Sequence, residues 1–202
     1  QALAQLEHEG IVERVKGKGT FVARPKTSES LVHTLAGLFE EVERRGGHVR
    51  SQILRHERVP ASAEVAAALE IAPGDSVVAL ERLRFIDDEP WSLTTTWMPE
   101  DIGAVTFASD MAELSLYAVL ADHGWHAVRG MRSAEATIAS PEQARLLGMS
   151  AGSALLLLRS TSYSEAGRPM EHFVAYHRGD RSRFEFQLRA TASTTELVHV
   201  SS

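Results

Sequence analysis

An internal repeat constrains the fold of this chain more than any other feature of its sequence. The first copy contains a short alanine-rich helix predicted from Ala61, a turn at 73–75, and strands predicted over 76–86 and 91–98. About 78 residues later the same order of elements returns. Each copy is a helix followed by an antiparallel hairpin, so two copies predict one larger antiparallel sheet with flanking helices, an α+β fold. In the second copy the predicted segments are a helix from Ser140, a turn at 151–152, and strands over 153–163 and 170–178.

Further elements are predicted around the repeat. Apolar residues recur at helical spacing over 31–42 and indicate an amphipathic helix. A strand is predicted over 49–59, and a helix over 109–123 lies between the two copies. A closing strand is predicted at 184–188, and 191–202 is interpreted as a tail or an edge strand.

The first 24 residues have a different organisation and end in a hairpin. Leu3 and Leu6 lie on one stripe of a predicted helix that stops at Gly10, where a left-handed residue is favoured. The segments 11–15 and 20–22 then resemble two short paired strands. The sequence therefore predicts the end of a helix followed by a two-stranded hairpin.

This hairpin is basic, whereas the whole chain is acidic. Residues 14–26 carry a charge of +5 from two arginines and three lysines, while the chain has a net charge of −6. Gly17 and Gly19 permit a tight turn with Lys16 and Lys18 at its tip. Charge alone leaves two interpretations open: an element that contacts phosphates, or a solvated hairpin that keeps the protein in solution.

Composition excludes some kinds of site and favours a compartment. The chain has no cysteine, so disulfides and thiolate metal sites are excluded. Its nine histidines are scattered without metal-ligand spacing, so no metal and no cofactor are predicted. No apolar run approaches the length needed to cross a bilayer, and cytoplasmic residence without a membrane partner is the simplest expectation.

The segment from Leu6 to Val22 resembles the wing that closes the DNA-binding domain of GntR-family transcription regulators. The resemblance implies a winged helix-turn-helix end at 1–24 and a linker at 25–30. It also implies that Gln1 lies inside the recognition helix, so that the earlier helices of this reader are absent from the printed sequence. The residues expected to contact DNA are Arg14, Lys16, Gly17, Lys18, Gly19 and Thr20.

The layout of residues 31–190 resembles the UTRA effector-binding domain of the HutC-type branch of the same family, which shares its fold with chorismate lyase. The resemblance is carried by four short stretches of the sequence. These are Glu81-Arg82-Leu83-Arg84-Phe85, Pro90 before a strand ending in Trp97-Met98-Pro99, Leu114-Ser115-Leu116-Tyr117, and Arg178-Gly179-Asp180-Arg181.

Two arginines are the first candidates for a ligand site. Strand alternation puts Arg82 and Arg84 on one face of the strand predicted over 76–86. One interpretation is a solvated sheet face; the other is a pair of guanidinium groups that holds an oxyanion through forked hydrogen bonds. The resemblance to UTRA domains implies the second, because arginines at these positions bind the anionic part of the effector.

Ser115 and Tyr117 are further candidates near the start of the helix predicted over 109–123. A helix N-terminus offers free N–H groups to an anion. The resemblance implies that this Ser-x-Tyr contacts phosphate in members that respond to sugar phosphates. The alternative, that Ser115 is only an N-cap and Tyr117 only a core residue, stays open.

The other end of the ligand is expected at Glu171, His177 and Thr94. Glu171 and His177 share one face of the strand predicted over 170–178, and Glu171 matches a family position that binds ligand hydroxyls. His177 stands where the family usually has tyrosine, and Thr94 replaces a glutamate often found in sugar-phosphate binders. These departures favour a small anion, such as a phosphonate or a carboxylate, over an amino-sugar phosphate.

The sequence thus predicts a ligand-controlled transcription regulator, usually a repressor. Its expected partners are operator DNA, a small anionic effector and a second copy of the chain, because helix-turn-helix readers bind palindromic half-sites as dimers. A chorismate-lyase-like enzyme with acid–base work at Glu171 and His177 is the alternative that the shared fold leaves open. A ligand-binding module without a DNA reader is a third.

Overall fold

The structure is a computed structural model that describes residues 12–15, 19–22, 27–29, 42 and 47–184. These residues form ten strands and four short α-helices, with a 3₁₀ helix at Ala104–Ala108. The helices are α1 (Ala63–Leu69), α2 (Glu100–Gly103), α3 (Leu116–Asp122) and α4 (Pro141–Leu147). The strands are β1 (Val12–Val15), β2 (Gly19–Val22), β3 (Thr27–Glu29), β4 (Val49–Pro60), β5 (Ser76–Ile86), β6 (Glu89–Pro99), β7 (Ala127–Ile138), β8 (Ala154–Ser164), β9 (Pro169–Arg178) and β10 (Ser182–Phe184).

A six-stranded antiparallel sheet in the order β4-β5-β6-β9-β8-β7 dominates the described part of the chain. It consists of two β-α-β-β units, β4-α1-β5-β6 and β7-α4-β8-β9. The first strand, the helix and the second strand of each unit begin 78 residues apart (127 − 49, 141 − 63 and 154 − 76). The two units join where β6 pairs with β9. The predicted α+β fold with one antiparallel sheet is confirmed, and each copy of the repeat contains one strand more than predicted.

The helices of the repeat begin where the sequence supplies caps. The Ser140 hydroxyl accepts from the backbone N–H of Gln143, whose side chain accepts in turn from the backbone N–H of Ser140, so α4 starts with a capping box. Ser62 caps α1 in the same way through the N–H of Val65. Gly148 ends α4 in the left-handed region, which favours glycine.

The sheet separates two apolar layers. On one face, α1 packs through Val65 and Leu69 against Val77, and α4 packs through Leu147 against Leu83 and other strand residues. On the opposite face, α3 packs through its apolar side chains against β5 and β6. That cluster comprises Val78, Leu80, Met98, Ile102, Met111, Leu116, Val119, Leu120 and Met170. One face of the sheet therefore lies beneath α1 and α4, and the other beneath α3.

Two predicted elements differ from the structure. The helix predicted over 109–123 begins only at Leu116, because Ser115 adopts an extended conformation and caps it. Within the segment predicted as a linker, residues 27–29 form β3 and pair in parallel with β10.

Other predictions fall partly or wholly on residues outside the described part of the chain. These are the helix end at 1–10, most of the helix at 31–42, the end of the closing strand and the 191–202 segment. None of the described helices is long and apolar enough to cross a membrane.

Candidate effector-binding site

A cavity lies between the sheet and the start of α3. It lies where β6 of the first unit pairs with β9 of the second, because the sheet register makes side chains of the two units cross-strand neighbours. Arg82 lies opposite Thr94, which lies opposite Ala175, and Arg84 lies opposite Ser92, which lies opposite His177. The lining residues are Arg82, Arg84, Ser92, Thr94, Thr96, Ser115, Leu116, Tyr117, Arg132, Leu158, Glu171, Phe173, Ala175 and His177.

The two predicted arginines are buried in this cavity and not on a solvated face. Arg82 is 3% exposed and Arg84 is 9% exposed, so the solvated interpretation is wrong. Both follow Val78 and Leu80 on the same side of β5, where alternation leads the strand from the apolar core into the cavity.

Arg82 is the most unusual group of the site. Its Nε and Nη1 atoms are buried and have no hydrogen-bond partner among the described residues. Burial, followed by the nearby charge of Arg84, lowers the pKa of Arg82 to about 9, so the guanidinium remains charged at neutral pH. A buried cation whose donors are unmatched is costly in free energy unless something pairs with it.

Glu171 supplies a buried carboxyl group on the other side of the cavity. The hydroxyl of Tyr117 donates a hydrogen bond to its Oε1 atom, and Ser162 Oγ donates to the same oxygen at 3.2 Å. Burial raises the pKa of Glu171, although these two hydrogen bonds and the charges of Arg132 and Arg82 oppose the rise. Burial and the neighbouring carboxyl also raise the pKa of Tyr117 well above its ordinary value, so Tyr117 remains a donor.

The start of α3 brings Ser115 and Tyr117 to the cavity. The Ser115 hydroxyl accepts from the backbone N–H of Ala118 at 3.4 Å, so it is an N-cap as well as a lining residue. The helix has seven residues, and we therefore assign its contribution to these two side chains and not to a helix dipole.

All seven residues predicted for the ligand site line this one cavity. They are Arg82, Arg84, Thr94, Ser115, Tyr117, Glu171 and His177. The sequence reasoning missed Arg132, because β7 was not predicted at all. The 78-residue offset from the strand predicted over 49–59 would have located β7. Ser92 and Thr96 could have been found by the same alternation that includes Thr94.

The cavity has room for a small molecule. Its volume is about 60 Å³. A single water needs roughly 10–15 Å³ by the same measure. The wall is mixed: arginines and hydroxyls lie beside Leu116, Leu158 and Phe173. Such a site can hold a compact anion whose remaining part is small or partly apolar.

The predicted DNA-contacting hairpin is present in the part that the structure describes. Strands β1 and β2 pair antiparallel, with Arg14 opposite Thr20 and Val15 opposite Gly19. Lys16, Gly17 and Lys18, which form the expected tip, lie outside the described residues.

Comparison with known proteins identifies the class of this domain and then the family. The sequence matches the family model of the UTRA domain over residues 44–183. It is 29% identical over 189 residues to the HTH-type transcriptional repressor NagR of Bacillus subtilis, covering 91% of this chain and 75% of NagR. It is 30% identical over 194 residues to the HTH-type transcriptional repressor PhnF of Mycolicibacterium smegmatis, covering 96% of this chain and 78% of PhnF. The crystal structure of PhnF from Mycobacterium smegmatis superposes with a TM-score of 0.78 at 28% identity, covering 95% of this chain and 84% of that one.

The described fold is thus that of a UTRA effector-binding domain. The chain belongs to the GntR/HutC-type transcription regulators that carry this domain. Its relatives are transcription regulators and not enzymes, so the chorismate-lyase-like alternative loses its support.

Proposed function

We propose that this protein is a repressor whose operator affinity changes when a small anion binds between its two β-α-β-β units. The observation that carries the proposal is the buried guanidinium of Arg82, whose Nε and Nη1 have no hydrogen-bond partner among the described residues. Natural proteins seldom leave a buried charged donor unmatched, and functional sites are the usual exceptions.

The charge and size of the cavity support a compact oxyanion as the effector. Arg82 and Arg84 together present a fork that matches phosphate, phosphonate or carboxylate oxygens. Ser115 and Tyr117 lie at the same cavity, where the Ser115 hydroxyl has a proton to donate and the Tyr117 oxygen can accept. Glu171, His177 and Thr94 line the same cavity and are the groups that we propose contact a hydroxyl or amine group on the remainder of the ligand.

The N-terminal hairpin supports the DNA-binding part of the proposal. Residues 14–26 carry a charge of +5 on a chain of −6, which suits a contact with operator phosphates. In the proposed repressor Arg14, Lys16, Gly17, Lys18, Gly19 and Thr20 contact DNA. A palindromic operator requires two readers, so the proposed form is a homodimer in the cytoplasm.

A thermal-shift screen of small phosphates, phosphonates, sulfates and carboxylates tests the anion site. An anion present at about 100 times its Kd stabilises a one-site protein by about 2.7 kcal/mol. For an anion found in this way, calorimetric titration of Arg82→Ala should show a loss of about 1.5–3 kcal/mol of binding free energy, because a charge-assisted hydrogen bond is removed.

Arg159→Ala is the matched control. Arg159 is also a sheet arginine, but it does not line the cavity and forms an exposed ion pair with Glu135 at 2.7 Å. Its replacement should leave the affinity unchanged. A folded Arg82→Ala variant that binds the anion as tightly as the parent would reject the assignment of Arg82 to the site.

A further inference from the structure

The two edges of the six-stranded sheet differ in how they are covered. At the β4 edge, the backbone N–H of Ser51 bonds to the carbonyl of Ala112 at 2.8 Å, and the ring of Phe107 stacks on His56 at 4.4 Å between centroids. At the other edge, β7 pairs with β8 on its inner side, and no strand of the described part of the chain pairs with its outer side. Nine of the twelve residues of β7 are exposed. Consecutive residues are among them, so β7 has exposed side chains on both faces of the sheet.

Large apolar side chains accumulate on the same strand. Val128 is 55% exposed, Met131 is 72% exposed and Ile138 is 69% exposed. These are three of the five large apolar side chains that the described residues leave exposed. A long strand with an open edge and exposed apolar groups is a template for pairing with another strand.

We propose that the outer edge of β7 pairs antiparallel with β7 of a second copy of this chain, centred on Ser133. The sheets of two copies then continue into one another through a two-fold axis. This inference rests on the homodimer of the proposed function and assigns its surface.

The occupant follows from the self-complementarity of the strand. In an antiparallel pair related by a two-fold axis, one residue lies opposite itself, and the two registers with the longest overlap are centred on Arg132 and on Ser133. Centring on Arg132 would place two like charges directly opposite each other, which is destabilising. Centring on Ser133 places two small hydroxyl groups there instead.

The Ser133 register also matches the remaining side chains. It places Val128 opposite Ile138 of the other copy, so that two exposed apolar groups cover each other. It brings Arg129 diagonally next to Glu135 of the other copy, which is within reach of long side chains of opposite charge. Both contacts occur twice by symmetry.

Because the chain has no cysteine, a single introduced thiol gives a clean test. Directly opposite Cα atoms in antiparallel strands lie about 4.5–5.5 Å apart, which is within the range that a disulfide spans. Ser133→Cys in the full chain should therefore form a covalent dimer when a thiol oxidant is added. Met131→Cys should not, since its two copies are about 13 Å apart along the strands in this register. Gln52→Cys, exposed on the β4 edge, is the second control.

Light scattering of charge variants tests the surface without a cross-link. Val128→Lys with Ile138→Lys should reduce the mass at micromolar concentration from twice the 22.1 kDa chain to that of one chain. Leu114→Lys, at an exposed apolar residue that does not belong to β7, should remain dimeric. Circular dichroism and thermal melts establish that each variant is folded.

The outcomes separate this inference from the proposed function. A dimeric parent whose double-lysine variant stays dimeric and whose Ser133→Cys variant does not cross-link overturns the β7 surface and leaves the homodimer intact. A monomeric parent overturns both, while the anion titration remains a separate measure of the effector site. Cross-linking at Ser133 together with the monomeric double variant supports the surface and its register.

Discussion

At the scale of single residues, Glu171 and Arg82 face opposing demands. Burial favours the neutral form of both side chains. The negative charge of Glu171 favours the charged form of Arg82, and the positive charge of Arg82 favours the charged form of Glu171. For Glu171 the effect of burial is larger than the effect of its hydrogen bonds and of the nearby charges, so its pKa lies above the ordinary value of 4.5. Its protonation is therefore linked to folding.

This linkage predicts a pH dependence that belongs to Glu171. A carboxyl whose pKa is raised by folding contributes stability that is fully present below its unfolded pKa and is lost as the pH rises through its folded pKa. Thermal unfolding of the parent and of Glu171→Gln, from about pH 4 to about pH 8, should show the parent losing stability relative to the variant as the pH rises. Glutamine keeps an oxygen that can accept from Tyr117 and Ser162.

Glu113→Gln is the control for this experiment, because Glu113 is an exposed carboxylate and does not line the cavity. Its profile should run parallel to that of the parent. If the Glu171→Gln profile also ran parallel to the parent, the linkage of Glu171 to folding would be refuted.

At the scale of elements, two helices that begin with a serine N-cap allow the effect on protein stability to be separated from the effect on anion binding. Ser115 caps α3 at the cavity, and Ser140 caps α4 away from it. Replacing either serine by alanine should cost about 1 kcal/mol of unfolding free energy, because a helix N–H loses its acceptor. Only Ser115→Ala should also weaken binding of an anion found in the screen, as measured by calorimetry. Equal anion affinity in both variants would leave Ser115 as a cap alone.

The basic hairpin is the second element with a direct test. In the proposed repressor, Lys16→Ala with Lys18→Ala should weaken operator binding and make its salt dependence shallower by about two phosphate contacts. Fluorescence anisotropy with an operator fragment over a series of salt concentrations measures both. Replacing two lysines without changing the salt slope would show that the hairpin tip does not contact phosphates.

Sequence reasoning succeeded where alternation along a strand or a local cap determines the position of a side chain. Strands β5 and β9 are buried on both faces, and strict side-chain alternation along each strand still indicated which residues share a face with Arg82 and with Glu171. The helix α4 was marked by Ser140, Pro141 and Gln143, whose capping role is local and needs no knowledge of the fold. The start of α3 was misplaced because residues before Ser115 are not regular, although apolar groups continue among them.

At the scale of the whole molecule, the sequence was sufficient to predict the sheet and its β4 edge, predicted over 49–59, but not its β7 edge. Strand β7 is exposed on both faces, so no alternation of apolar and polar residues distinguishes it in the sequence. Because β7 was not predicted, Arg132 was not included in the predicted site. The hydrogen bond from Tyr117 to Glu171 was likewise beyond reach, since it joins elements 54 positions apart that meet only after the sheet has formed.

The order of the six strands explains why the predicted site residues meet. Because β6 pairs with β9, the arginines of the first unit and the carboxyl group of Glu171 in the second unit line the same cavity. The pair Arg82 and Arg84 belongs to the first unit, whereas Glu171 belongs to the second, together with Arg132. The cavity is therefore a property of the joined pair, although the two units share one topology.

The buried guanidinium of Arg82 has a consequence for the lifetime of the protein. A buried guanidinium with unmatched donors lowers the free energy of unfolding, so the empty protein opens more often than it would with an apolar residue at this position. Any anion that pairs with Arg82 removes part of this cost and makes opening rarer. Cellular proteases degrade the opened form, so the abundance of such a protein would rise with the concentration of its effector, independently of any event on DNA.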